Sequence, residues 1–233
     1  MIPLKDSNPS SRWPGVNYAL IGLCVLVFLF EISLEKYQLG KLINAYGFVP
    51  ARFLYNLYQG PGAWLDLWPP LLTAMFLHGG GLHLIFNMWT LFIFGDNVED
   101  FMGHGRYLAL YLLCGLAGFL GHLVFAPASK IPTIGASGAI AGVMGAYFYL
   151  YPQARILTFI PPFFIFPMPA YLFLGLWFLL QFLSGTFRAM GPQAGMGGVA
   201  FWAHVGGFAA GVLILLLVAP IRPQPPFRGR RAL

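Results

Sequence analysis

Long uncharged runs, cut by short polar or Pro/Gly-rich pieces, set the pattern of this chain. Charge is absent from Pro14 to Phe30, which predicts a first membrane span over about residues 16–35. A second uncharged run, Leu67 to Gly95, is divided by Pro69–Pro70 and by Gly79–Gly80–Gly81, so a second span is expected from near Gly81 to near Asp96. Glu99, Asp100 and Arg106 mark a polar turn, and further spans are predicted over 106–126, 136–151, 168–187 and 200–219. The Pro-rich piece PPFFIFPMP (161–169) separates the fourth and fifth spans, and a Gly-rich piece (191–198), a candidate lid, separates the fifth and sixth. Residues 36–66 are too long for a tight turn and too apolar for a solvated one. Aromatic and broken by Pro50, Gly60, Pro61 and Gly62, they predict short amphipathic helices in the interface plane.

Composition agrees with this pattern. Only 9% of the 233 residues are charged and the mean hydropathy is +0.73, whereas a soluble domain carries roughly a quarter charged residues. The expected class is an all-α polytopic membrane protein with six spans, a membrane domain over 16–219 between two tails. Residues 1–15 read as a polar N-terminal tail, and 220–233 as a basic Pro/Arg-rich tail suited to an anionic cytoplasmic leaflet. With both termini inside, the inner side carries eight Lys/Arg and the outer side five (Lys36, Lys41, Arg52, Lys130, Arg188), which favours that orientation. No small-residue cleavage site follows the first apolar run, so it reads as a span and not as a signal peptide. The formal charge of +6 does not call for nucleic acid, because most basic residues flank apolar segments. Cys24 and Cys114 lie inside apolar segments, so neither a structural disulfide nor a metal site is expected, and no cofactor is implied.

In this orientation the second, fourth and sixth spans begin at the outer face, each with polar groups in its first turns. His83 and Asn87 are spaced i, i+4 on one helical face, Ser137 opens the fourth span and His204 lies early in the sixth. From Ser137 to Tyr151 is about 15 residues, roughly 22 Å of helix. Against a hydrocarbon core of about 30 Å, that sets Ser137 on the order of 8 Å below the outer boundary if Pro152 marks the inner one. His204, His83 and Asn87 come out at a similar depth. Gly138, Gly142 and Gly145 on one span and Gly207 and Gly211 on another form small-residue faces, with Gly135 just upstream counted among the supporting glycines. Such faces let helix axes approach closely enough for Ser137 and His204 to hydrogen-bond. The backbone just before Ser137 must then be irregular at membrane depth, which is tolerated where it lines a water-filled cavity.

Each feature alone has a plainer reading. A membrane serine usually bonds a carbonyl one turn back, a Gly stripe is usually helix packing, and an intramembrane histidine is rarer and more often functional. Together they form a constellation. GASGAIAG around Ser137, AHVGGFAAG around His204 and HGGGLHLIFN around His83 and Asn87 resemble, in order and spacing, the rhomboid family of intramembrane serine proteases over roughly residues 45–218. The resemblance implies a six-helix rhomboid bundle with a long interfacial first loop. It implies Ser137 as nucleophile, His204 as general base, and an oxyanion hole of His83, Asn87 and the Ser137 N–H. It further implies single-span transmembrane substrates within the lipid bilayer and, for a minimal six-span form, a bacterial inner membrane. No Asp or Glu follows Asp100, so no carboxylate from the last three spans can complete a triad.

The chain departs from the family in two places. Trp68-Pro69-Pro70 stands where many members carry Trp-Arg, and Ala141 replaces a tyrosine that packs on the catalytic histidine in some members. What orients His204 is therefore not identified by sequence. His78 reads as a residue that caps the loop or faces water, with a direct role as the minority alternative, and His104 and His122 read as structural. Gln181 reads as a helix-to-helix hydrogen bond, and Glu99 and Arg106 as ties at the inner turn. Trp64, Trp68, Trp177 and Phe178 read as interface anchors or packing, the last two near where the resemblance implies a substrate helix enters. Rival readings are a catalytically silent rhomboid-like binder of membrane segments, which would lack the Ser or His, and a small channel, for which no inverted repeat is evident. The absence of H-E-x-x-H and of paired intramembrane aspartates excludes the corresponding zinc and aspartyl chemistries.

Overall fold

The computed structural model describes residues 1–59, 64–190 and 200–219; the Gly-rich 191–198 piece and the basic 220–233 tail lie outside the described residues. Six helices form the bundle: α1 (Gly15–Ser33), α5 (Gly81–Met102), α6 (His104–Phe125), α7 (Ser137–Leu150), α8 (Ala170–Met190) and α9 (Phe201–Val218). The first loop holds three more, α2 (Lys36–Tyr46), α3 (Pro50–Tyr58) and α4 (Trp64–Thr73). Helices α1, α6, α8 and α9 are long and apolar enough to cross a membrane, and α7 is apolar but shorter, at 14 residues. Helix α5 begins at Gly81 as expected but runs past Asp96 to Met102. Its polar end is retained because Asn97 and Glu99 are buried and bonded rather than facing lipid.

Helix α7 is the hub, packed on α5, α6, α8 and α9. Eleven of its fourteen residues are buried, which its Gly/Ala-rich sequence permits without bulky side chains. The closest approach is to α9. A Cβ on Gly207 would meet the carbonyl of Gly138, and one on Gly211 the carbonyl of Gly142. From the other side, Gly145 faces the Phe208 carbonyl. These neighbours are backbone atoms, which cannot rotate aside as a side chain would.

Polar ties fix the start of α1. The Glu99 carboxylate accepts the free first-turn N–H groups of Val16 (2.9 Å) and Asn17 (2.7 Å), and it also pairs with His104 Nδ1. Asn17 then donates to the Leu91 carbonyl and accepts from Tyr107 Oη. At the other end of α1, buried Glu31 accepts the His78 backbone N–H.

A three-stranded antiparallel sheet joins the helices, in the order β1 (Ile2–Asp6), β2 (Arg155–Ile160), β3 (Phe164–Pro169). This differs from the sequence expectation twice over. Residues 2–6, read as part of a polar tail, are a strand packed on α5, and the Pro-rich separator is half of a hairpin. Prolines argue against a strand within a sheet, but β3 is an edge strand, where a missing N–H costs no ladder bond. Strand β1 is held at its ends by side chains. Trp89 Nε1 donates to the Pro3 carbonyl at 2.6 Å, and Tyr147 Oη donates to Asp6 Oδ2 at 2.6 Å.

Two outcomes are expected. Gly211→Val should destabilise the bundle by ~1–3 kcal/mol or more through overpacking, seen as a lower unfolding midpoint in detergent, while Gly22→Ala, which meets nothing within 4 Å, should not. Burial pushes the Asp6 carboxyl from 3.8 up to about 6, against the opposing Tyr147 bond and with nearby Asp96 adding to the rise. A group with a raised folded pKa favours the folded state below its unfolded value and loses that effect as pH climbs through the folded one. Strand β1 should therefore dock most tightly below about pH 4 and loosen through about pH 6. Amide exchange of residues 2–6, corrected for intrinsic rates, checks this, and Asp6→Asn should flatten the profile.

Candidate active site

Ser137 is the first residue of α7, so its own N–H and those of the next residues lack intrahelical acceptors and point out of the helix start. Its Oγ lies 2.7 Å from His204 Nε2, in the first turn of α9. The glycine-permitted approach of α7 and α9 sets that distance. His204 Nδ1 lies 2.8 Å from Gln181 Oε1 on α8. With the amide oxygen accepting, Nδ1 carries the proton and Nε2 is free to accept from the Ser137 hydroxyl, the tautomer a general base requires. One turn earlier on α8, the Trp177 ring lies 5.8 Å from the imidazole, tilted by 32°. It covers a face of His204 where Ala141 leaves no aromatic.

The opposite wall comes from the start of α5. The Gly79 N–H donates to His83 Nδ1 at 3.3 Å, and a backbone N–H can only donate, so the His83 proton sits on Nε2. Asn87 is buried, and its Nδ2 has no hydrogen-bond partner among the described residues. Both groups converge on Gly135. A Cβ there would stand 2.8 Å from His83 Nε2 and 3.7 Å from Asn87 Nδ2, and φ is +121°, a region that L side chains rarely adopt. The grouping of Gly135 with the helix-packing residues is thus corrected: it lies in the irregular segment before α7 and makes room for His83. Gly138, Gly142, Gly207 and Gly211 do sit at helix contacts, Gly138 also against Gly118 of α6.

The segment before Ser137 is clamped by the first loop. Phe48 and Thr133 exchange two backbone bonds (3.0 and 2.7 Å), and the Gly135 N–H donates to the Ala74 carbonyl at 2.8 Å. A cavity of about 510 Å³ is lined by His83, Asn87, Gly135, Ser137 and His204, so all the candidate groups face one space. It can hold an acyl carbon against Ser137 Oγ with its oxygen turned toward Asn87 Nδ2, His83 Nε2 and the helix start, donors of the kind that stabilise a developing oxyanion.

Of the polar residues not assigned to the site, His78 meets the His83 ring edge-on at 5.3 Å, and His104 and His122 lie away from the cavity. The sequence placed Gln181 at a helix-to-helix bond but not against His204. A signal existed, since Gln181 falls one turn from Trp177 on the same face, but nothing in the sequence says which helix that face meets.

The family model described as Rhomboid domain matches residues 65–221. The chain is 33% identical over 201 residues to "Rhomboid protein 1, mitochondrial" of Saccharomyces cerevisiae, covering 84% of this chain and 51% of that protein. It is 38% identical over 138 residues to "Rhomboid protease GluP" of Bacillus subtilis, covering 59% of this chain and 25% of that protein. To "RHOMBOID-like protein 6, mitochondrial" of Arabidopsis thaliana it is 42% identical over 132 residues, 57% of this chain and 41% of that one. The chain thus spans about half or less of the length of these relatives.

Gln181→Leu removes the acceptor for His204 Nδ1. A net hydrogen-bond contribution of about 1 kcal/mol should slow fluorophosphonate labelling of Ser137 by up to about tenfold and shift its pH profile, with the unfolding midpoint little changed. Gln181→Glu, which keeps an oxygen acceptor, should restore much of the rate. Labelling unaffected in the Leu variant would show that this bond does not position the histidine.

Proposed function

The chain belongs to the rhomboid family, and from that premise we propose that it is an intramembrane serine endopeptidase that cuts transmembrane segments of single-span membrane proteins with a Ser137–His204 dyad. The carrying observation is the 2.7 Å contact between Ser137 Oγ and His204 Nε2 inside a cavity that also presents the unpartnered amide of Asn87.

In this reading His204 Nε2 takes the Ser137 proton as Oγ attacks the scissile carbonyl carbon. The oxygen becomes an alkoxide held by His83 Nε2–H, Asn87 Nδ2–H and the Ser137 N–H. As the carbonyl re-forms, the C–N bond breaks and His204 returns the proton to the leaving amine, leaving an ester on Ser137. A water, deprotonated by His204, then attacks the ester and frees the acid and the serine. Gln181 holds the imidazole throughout, taking the orienting place a carboxylate occupies in a triad. The substrate amide must be extended to be attacked, because a helical one is shielded, so Gly or other helix-breaking residues near the cut favour cleavage. Both termini are assigned to the cytoplasmic side, supported by the eight-to-five Lys/Arg asymmetry. The membrane in this reading is a bacterial inner membrane; the named relatives include bacterial and mitochondrial proteins.

Purified protein in liposomes should label with a fluorophosphonate probe, and both Ser137→Ala and His204→Ala should abolish labelling and proteolysis. Asn87→Ala should keep the fold and lower kcat by about 10², the size of a lost oxyanion donor. A folded wild type that neither labels nor cleaves would point instead to a silent binder of membrane segments.

A further inference from the structure

The sheet occupies the side of the bundle between α5 and α8. Helix α5 packs on α1, α6, α7 and β1, while α8 packs on α7, α9, β2 and β3, so β1 stands at the α5 side and the hairpin at the α8 side. Strand β1 rises from Asp6, bonded to Tyr147 near the inner end of α7, toward Met1. There Met1, Ile2 and Pro3 line a second cavity of about 250 Å³ that reaches Ser137, Gln181 and His204. An extended backbone lying where β1 lies, and continued a few residues beyond Met1, therefore arrives at Ser137.

The hold on β1 is light. Its register with β2 slips between Pro3 and Lys5, and Pro3 has no N–H to give the ladder. Within β1 two single side-chain bonds supplement the ladder, from Trp89 to the Pro3 carbonyl and from Tyr147 to Asp6, and the further tie, the two bonds between Ser7 and Arg155, lies past its inner end. Strand β2, by contrast, is paired along its whole length with β3, and Ile156 and Thr158 are fully buried. It is a fixed edge carrying a replaceable neighbour.

We propose that β2 is the docking edge for the scissile stretch of a transmembrane substrate, which adds to it as an extended strand in place of β1. The N-terminal strand is then a resident competitor that closes the path until substrate displaces it. This rests on the proteolytic reading above. The direction is set too: β1 runs from the Ser137 end toward the inner end of α7, antiparallel to β2. A substrate strand in the same direction has the residues before the cut on the Ser137 side and those after it along β2. Strand addition also supplies what the chemistry needs, since it holds the peptide extended and satisfies its backbone groups away from water.

The test locks β1 in place. Ile2 and Phe159 are directly paired Cα partners, and the native Cys24 and Cys114 are buried. Ile2→Cys with Phe159→Cys in the full chain would form a disulfide on oxidation, confirmed by mass spectrometry. In liposomes holding a single-span substrate, the oxidised enzyme should cleave at least tenfold more slowly than the reduced one. Labelling of Ser137 by a small fluorophosphonate, which enters through the larger cavity, should be the same in both states. Equal cleavage rates in the oxidised and reduced enzyme would overturn the proposal. Should the paired variant fold poorly, deletion of residues 2–6 is expected to lower KM several-fold without changing the labelling rate, and an unchanged or raised KM would count against it. A wild type that neither labels nor cleaves would remove the proteolytic reading, and this inference with it.

Discussion

The Ser137–His204 pair depends on two helices touching through their backbones. The carbonyls of Gly138 and Gly142 on α7 press against Gly207 and Gly211 on α9, with nothing between them. Lipid is as apolar as leucine, so burying side chains gives little drive to pair helices in a bilayer; close packing over a wide face does. The same contact fixes the distance from the first turn of α7 to the first turn of α9, and Ser137 and His204 occupy those turns. Stability and site geometry thus rest on one set of missing Cβ atoms.

Several polar groups inside the bundle are tied by backbone or side-chain partners. Glu99 closes the start of α1, Asn17 is held by Tyr107 and Leu91, and Glu31 takes the His78 N–H. The buried amide nitrogen of Asn87 has no partner among the described residues, and it lines the cavity where the proposed oxyanion forms. A cost borne in the resting state is what a preorganised donor looks like.

Much of this was legible in the sequence, for physical reasons. Charge-free runs mark helices because a bilayer penalises charge, and small-xxx-small spacing marks the α7–α9 face because only small residues allow it. The polar residues of the constellation were identifiable because polar groups at that depth need a reason. Three features were not legible. Strands β1 and β3 are short and Pro-containing, so neither period nor propensity announces them, and their pairing is set by tertiary contact. The partner of Gln181 depends on how α8 is rotated, which an almost uniformly apolar helix does not encode. Gly135 looks like its neighbours in the glycine pattern, and only its positive φ separates a turn residue from a packing one.

The 14 residues of α7 bear on how the protein sits in membranes of different thickness. A helix of that length is about 21 Å long, some 9 Å short of an average hydrocarbon core of about 30 Å. A lone helix this short would meet the mismatch by thinning the lipid around it. Helix α7 is ringed by α5, α6, α8 and α9 and has little contact with lipid. Its shortfall therefore does not deform the bilayer and appears instead as a well at the Ser137 end, walled by protein. A thicker membrane lengthens the lipid outside that wall and leaves the well unchanged, so the distance from water to the serine is a property of the chain rather than of the bilayer.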